Sequence, residues 1–299
     1  MNNPAPGWHF TGDPEVFTGR AAGFLDSDPV THTALLTVTD TLRTRGLHVY
    51  GDRAPLFGDF TDSGGTVIGA FVWTPTHHVM LSPLPAGAAA ALAGHLSDQD
   101  LSGVGGEHTT AEAFAAAWSE QTGAVAEVET NQCLYRLEML TPPMPAPPGR
   151  ARIATRADRG LVMRWYTEFK QSVGADTGMD PADWADARLS YSGIMLWEVE
   201  DEDSDEPGAY TPVAFAGCTR PVAGQIRIAP VYTPRELRGR GYAAAVTAEI
   251  SRAARAAGAD EVLLFTDLAN PTSNGLYQRV GYRPVRDFTQ YAFTATAAE

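Results

Sequence analysis

Cysteine is scarce in this chain. Cys133 and Cys218 are the only two in 299 residues. They share no paired spacing, so neither a disulfide framework nor a zinc ligand set is expected, only two buried thiols in a reducing compartment. Long apolar runs are missing as well. No stretch approaches the roughly 18 apolar residues of a membrane span, and the start MNNPAPGWHFTGD lacks the basic and apolar regions of an export signal. A cytoplasmic protein with no membrane partner is expected. Positive charge is also in deficit. A formal net charge of -14 argues against duplex nucleic acid or an anionic membrane as partner, because both are held by clustered cations. Small cationic partners are favoured instead. Lysine occurs once, at Lys170, and arginine carries the remaining basic charge.

Hydrophobic residues make up 44% of the sequence, which at this length is enough for cores in two domains of ordinary size. The most informative stretch runs from Gln225 to Ala243. Ile226, Ile228 and Val231 alternate as in a strand, Pro234 closes it, and Arg238-Gly239-Arg240-Gly241 leads into a strong helix pattern. The first N–H groups of a helix have no intrahelical partner and carry the positive end of the helix dipole, so a phosphate suits that position. Gly239 and Gly241 allow close approach, and Arg238 and Arg240 supply charge-assisted donors. No Gly-Lys-Ser/Thr or Gly-x-Gly-x-x-Gly motif is present, which sets aside the common nucleotide-triphosphate and dinucleotide loops.

Arg238-x-x-Gly241-x-Ala243 resembles the turn with which Gcn5-related N-acetyltransferases, the GNAT family, hold the diphosphate of acetyl-coenzyme A. A second element, Asn270-x-x-Ser273-x-x-Leu276-Tyr277-x-x-x-Gly281-Tyr282, is similar to a helix of the same family and follows in the right order. The resemblance implies an α/β (α+β) protein with two tandem GNAT-like domains, each a mixed, mostly antiparallel sheet flanked by helices.

The order of elements supports this expectation. Helices are expected at Pro14–Leu25 and Val30–Arg45, the second capped near Asp28. A hairpin of Leu56–Phe60 and Thr66–Trp73 follows, then a short strand at Val79–Leu81, a helix from about Ala86, a strand near Leu101, a helix over Thr110–Gln121 and a strand over Val125–Leu137. In this half the turn Leu84-Pro85-Ala86-Gly87-Ala88 lacks arginine and the Gly-x-Gly spacing. Residues 1–140 are therefore expected to be a degenerate GNAT-like domain that holds no cofactor. His77 and His78, if they lie on a strand, point to opposite faces and cannot share one ion. Stacked prolines make 141–150 a linker, and 151–299 is expected to be the catalytic domain. There, strands are expected at Ala151–Thr155, Ile194–Val199, Tyr210–Thr219, Glu261–Phe265 and Arg283–Phe293. Helices are expected around Trp165, over Pro181–Leu189 and after Asn270. The acidic connection Asp201–Glu206 reads as a solvated hairpin tip, with steering of a cationic acceptor as the alternative.

By resemblance, Val231, Tyr232 and Thr233 supply backbone contacts to pantetheine, Arg238, Gly239, Arg240, Gly241, Tyr242 and Ala243 form the diphosphate turn, and Asn270 either faces pantetheine or caps its helix. Tyr277 falls at the family position whose phenol protonates the departing thiolate. An alkyl amine must lose a proton before it attacks. All seven histidines precede the linker, so a carboxylate acting through water is the expected base, with Glu198 and Asp267 as candidates. Arg220 and Arg227 are candidates for an acceptor carboxylate. The expected activity is acetyl-coenzyme A-dependent N-acetylation of a primary amine on a small molecule, without metal or nucleic acid. A non-catalytic acyl-coenzyme A sensor, a protein N-acetyltransferase and an aminoacyl transferase using tRNA are the alternatives, the last disfavoured by the acidic balance.

Overall fold

The computed structural model describes residues 6–85, 87–174, 179–201 and 207–295. Ala86 and most of the acidic connection after Asp201 lie outside the described residues. In chain order the first elements are β1 (Gly7–Thr11), α1 (Pro14–Ser27), α2 (Thr33–Arg45), β2 (Leu56–Thr61), β3 (Val67–Trp73) and β4 (Val79–Leu81). Next come α3 (Ala88–Leu96), β5 (Gly103–Glu107), α4 (His108–Thr122), β6 (Val125–Leu137), β7 (Arg150–Ile153), α5 (Arg159–Val173) and α6 (Pro181–Leu189). The chain finishes with β8 (Ile194–Glu200), β9 (Tyr210–Cys218), β10 (Gln225–Tyr232), α7 (Tyr242–Ala256), β11 (Glu261–Asp267), α8 (Pro271–Val280) and β12 (Tyr282–Thr294). These elements form two compact units that are discontinuous in sequence. The first takes the chain up to Leu134 with Asp267–Ala269 and Val285 onward, and the second takes Tyr135–Thr266 and Asn270–Pro284.

In the first unit the strand order is β1-β2-β3-β4-β5-β12. The pair β4–β5 is parallel, with Val79 opposite Val104 and Met80 opposite Gly105, whereas β1–β2, β2–β3 and β3–β4 are antiparallel. Asp13 starts α1 by accepting from the Glu15 and Val16 amides at 2.8 and 3.4 Å, with Pro14 at the first helical position, where its missing N–H is not needed. Phe17, Ala21 and Leu25 then recur on one buried face. Phe71, Trp73, Leu81, Leu92, Val104, Phe114 and Trp118 form the core beneath the sheet. Burial of each large side chain contributes about 1.5–3 kcal/mol.

Four features of this unit depart from the sequence reading. Residues 7–11, assigned no element from the sequence, form a strand paired with β2; Trp8 and Phe10 alternate as a strand requires, and Trp8 meets Phe71 edge-on at 5.6 Å. Helix α2 begins at Thr33 without a side-chain cap, because Asp28 instead accepts from the Thr31 amide in a preceding turn. His77 and His78 lie in the turn before β4, not on a strand. Finally, Phe288–Ala292 of the last strand pair with Gly103–Glu107. The chain's end thus completes the sheet of the first unit, where β5 would otherwise expose an unpaired edge.

In the second unit the strand order is β11-β10-β9-β8-β7, with β10–β11 the parallel pair. The short helix α6 is capped by Asp180, whose carboxylate accepts from the Ala182 and Asp183 amides. Helices α5 and α6 bring Trp165, Tyr166 and Trp184 against Phe215 of β9 and Tyr232 of β10. Helix α7 buries Val246, Ile250 and Ala254 at helical spacing. The proline segment is tied down: the Thr141 amide donates to Val280 O, and Trp197 Nε1 donates to Pro148 O at 2.9 Å.

Candidate active site

Strand β10 is paired to β11 only at Gln225, Ile226 and Arg227, opposite Glu261, Val262 and Leu263. From Ile228 onward, no β11 residue is paired with it among the described residues. On its other side β10 is paired to β9 with a bulge between Ile228 and Val231. One edge of Val231–Thr233 is therefore left facing a gap, with backbone groups that a polar chain could pair. Thr233 adds an orphan: its Oγ1 is buried and has no hydrogen-bond partner among the described residues.

A short 3-10 turn, Arg235–Leu237, carries the chain from this edge to α7. Gly239 and Gly241 have φ of +80° and +86°, a region costly for any residue with a Cβ. Gly241 is the N-cap of α7 and no side chain caps the helix. The orphan amides at the start of α7 thus open onto an exposed turn of Arg238, Gly239, Arg240 and Gly241. Arg238 Nε donates to Thr233 O at 3.0 Å. Beside the turn lies the proline segment, since a Cβ built on Gly241 would meet Pro147 at 3.6 Å. Tyr242 is buried and Ala243 half-buried at the head of the helix.

Helix α8 presents the second motif. Asn270 is its N-cap, and Oδ1 accepts from the Ser273 amide at 3.0 Å, so this side chain serves the helix start. Tyr277 packs its ring edge-on against Tyr282 at 6.2 Å, and burial pushes its phenol up to about 12. Tyr282 in turn shares a 2.7 Å hydrogen bond with Ser251 of α7. Gly281, with φ of +109°, ends α8 where a Cβ would lie 1.8 Å from Met139 O.

The two carboxylates differ sharply. Glu198 stands opposite Arg150 in the β7–β8 register. Its Oε1 accepts from Arg150 Nε at 2.8 Å and its Oε2 from Arg152 Nε at 2.9 Å. Its pKa is lowered; burial pushes it up, and the two guanidinium hydrogen bonds together outweigh that. A carboxylate with both oxygens bound to cations is a poor proton acceptor, and its place in the register makes it a lock between two strands. Arg152 also forks onto Asp158, at 2.8 and 3.0 Å, and that pairing holds the Asp158 carboxyl down at about 2. Asp267 is exposed at the end of β11, and its Oδ1 accepts from the Ala269 amide at 2.8 Å.

Several side chains at this site were not singled out by sequence patterns. The Tyr232 side chain turns toward α5 and donates to Glu168 Oε2 at 2.8 Å; burial and this bond raise its pKa to about 12. Trp184 stacks on Tyr166 with ring centroids 4.1 Å apart, and Arg188 lies over the Trp184 ring with Cζ 4.1 Å from its centroid. The i, i+4 spacing of Trp184 and Arg188 on α6 was the available signal. Arg220 and Arg227, named from the sequence as candidates for an acceptor carboxylate, lie over the Tyr191 and Phe265 rings, at 4.9 and 5.8 Å. Burial raises both cysteine thiols to about 11, so they stay protonated at neutral pH.

A parallel strand pair that parts after Arg227, a bulge between Ile228 and Val231 and an arginine-glycine turn opening a helix together make the candidate site. The Acetyltransferase (GNAT) family matches the chain over residues 161–282. That stretch is a GNAT acetyltransferase domain. No curated protein matches the sequence. Among solved structures, a GCN5-related N-acetyltransferase from Sphaerobacter thermophilus is similar at 17% identity and a TM-score of 0.55, covering 95% of this chain and 94% of that one. A GNAT-family acetyltransferase from Colwellia psychrerythraea gives 11% identity and a TM-score of 0.57, covering 96% and 100%. A tandem GNAT protein from the clavulanic acid biosynthesis pathway gives 13% and 0.55, covering 98% and 100%. These likenesses extend the GNAT-like fold over the whole chain, the first half included. GNAT enzymes use acetyl-coenzyme A as co-substrate. The GNAT domain's own features fit that molecule: an uncapped helix start with two left-handed glycines, an unpaired strand edge and the orphaned Thr233 hydroxyl. Among the described residues no helix is long and apolar enough to cross a membrane.

Proposed function

We propose that the protein transfers an acetyl group directly from acetyl-coenzyme A to a primary amine of a small molecule, with the site in the second half of the chain. The observation that carries this reading is the uncapped start of α7 behind Arg238-Gly239-Arg240-Gly241, a ready anion site beside an unpaired strand edge. The proposed division of the chain is a degenerate domain at 1–140 that holds no cofactor, a linker at 141–150 and a catalytic domain at 151–299. The protein is proposed to work in the cytoplasm.

When bound, acetyl-coenzyme A supplies an activated thioester. Arg238, Arg240 and the first amides of α7 hold its diphosphate, and the edge of Val231–Thr233 pairs with the pantetheine amides. One amide of that edge donates to the carbonyl oxygen that gains negative charge during attack. Tyr277, protonated throughout the neutral range, gives its proton to the leaving sulfur. Since Glu198 is committed to Arg150 and Arg152, the remaining carboxylate of the expected pair, Asp267, is the proposed base, acting through water. The excess negative charge of the chain suits a cationic acceptor.

Calorimetry with acetyl-coenzyme A, followed by a panel of amines read by released thiol, tests the proposal. Binding with thiol release is the expected result. Tight binding without release from any amine would instead identify a sensor, release only with protein substrates would identify a protein acetyltransferase, and absence of binding would refute the reading.

A further inference from the structure

The bulge in β10 leaves Ala229 O close to Gly217 of the neighbouring strand. A Cβ on Gly217 would lie 2.9 Å from Ala229 O and 3.2 Å from Trp184 Cη2, so the missing side chain leaves room for both the bulged carbonyl and the indole beside Gly217. Arg188 follows Trp184 by one helical turn and lies over its ring at 4.1 Å. The same guanidinium is near enough to the end of β9 to act on the Cys218 thiol, and Cys218 is the residue opposite Ile228 where the bulge begins. A cation is thus held on α6 beside the irregular part of β10.

This cation is incompletely satisfied. Arg188 Nε is shielded from solvent and has no hydrogen-bond acceptor among the described residues, and Arg188 is in no ion pair there. Other arginines of this unit are committed: Arg150 and Arg152 to Glu198, and Arg159 to Asp186. Leaving a shielded donor unpaired is costly, and the stacking on Trp184 offsets part of that through the ring face without giving Nε an acceptor. A planar guanidinium fixed by stacking, with an unmatched N–H, suits a planar anion that accepts two parallel hydrogen bonds.

We propose that Arg188 reads a carboxylate on the acceptor, so that the substrate class is amines that also carry a carboxylate, amino acids among them. This deepens the proposed transferase reading and rests on it for the meaning of "acceptor". The buried ring cluster of Trp184, Phe215, Trp165 and Tyr232 lies between Arg188, over Trp184, and Glu168, which meets Tyr232. Arg188 and Glu168, both half-buried, thus place a cation and an anion at the two ends of that cluster, and in this scheme the acceptor's carboxylate pairs with the first. Arg188 is a specificity residue in this scheme and takes no part in proton transfer.

The test compares N-acetylglycine, N-acetylleucine and N-acetylphenylalanine, each beside its methyl ester, by calorimetry on the full-length protein. At least one acid is expected to bind roughly 10-fold or more tightly than its ester. Arg188→Met is expected to abolish the preference, while Arg188→Lys, which keeps the charge over Trp184 but not the planar fork, retains part of it. In turnover, Arg188→Met should raise the KM of phenylalanine about 10–100-fold and leave that of phenethylamine within about 2-fold. A merely structural arginine would affect both amines alike. Equal binding of acid and ester by the wild type, binding of neither, or a preference surviving in Arg188→Met would overturn the proposal. Acetyl-coenzyme A binding is measured separately, so its absence would count against the transferase reading while the acid–ester comparison still reports on Arg188. Should Arg188→Met not fold, the Arg188→Lys comparison decides alone, with an undiminished preference counting against the proposal.

Discussion

The Arg238 Nε donates to the Thr233 carbonyl at 3.0 Å, bracing the loop from the unpaired edge of β10 to the glycine turn of α7. The bond occupies one of five guanidinium donors and leaves the terminal nitrogens for an anion. Arg238→Met should weaken acetyl-coenzyme A binding about 10–100-fold, the scale of one or two charge-assisted hydrogen bonds, with little change in melting temperature because the turn is exposed. Calorimetry and a thermal melt on the same sample check both halves. The wild-type affinity should also fall with added salt, as expected for an exposed ionic site.

Tyr277 offers a second measurement. Tyr277→Phe should lower kcat about 10–100-fold and leave the Kd for acetyl-coenzyme A within about 2-fold. Because burial raises the phenol to about 12, the acid form persists at neutral and weakly alkaline pH. Loss of the proton should therefore place no alkaline limb on kcat below about pH 11. A variant with wild-type kcat would remove Tyr277 from the mechanism.

Glu198 and Asp158 make the fold acid-sensitive. Both carboxyls have folded pKa values below the ordinary range, Asp158 at about 2. Their contribution is therefore complete above the unfolded pKa values near 4, and is lost as pH falls from there through the lowered folded values. Denaturant midpoints should decline between about pH 4.5 and 2. Glu198→Gln should flatten that decline and cost about 1–3 kcal/mol, less than a fully buried pair, because Arg150 remains 58% exposed. If Glu198 is a strand lock, the folded variant keeps its kcat; a kcat loss of 100-fold or more would instead mark it as the base.

Gly281→Ala tests the end of α8. The residue sits at φ +109° with Met139 O 1.8 Å from where a Cβ would be, so both backbone strain and a clash with main chain follow. A loss of about 3 kcal/mol or more is expected, read as a lowered urea midpoint. Gly160→Ala, at a helical glycine with no atom near its Cβ position, should cost nothing or stabilise slightly.

Much of this protein is legible in the sequence because its decisive features are local. The Arg238–Gly241 turn needs left-handed glycines followed by a helix pattern, Asn270 needs only the amide three residues on, and alternation or helical spacing marks most elements. Residues 7–11 escaped because five residues carry too short a pattern beside prolines and glycine. Tertiary structure alone decided what depends on distant partners. The two guanidinium groups that occupy both oxygens of Glu198 come from a strand almost fifty positions earlier. Phe288–Ala292 pair with β5 because an open sheet edge must find hydrogen bonds, and no local preference specifies which edge. Arg188 resembles any surface arginine in the sequence; only tertiary packing shields its Nε, and a desolvated donor without an acceptor gives it meaning.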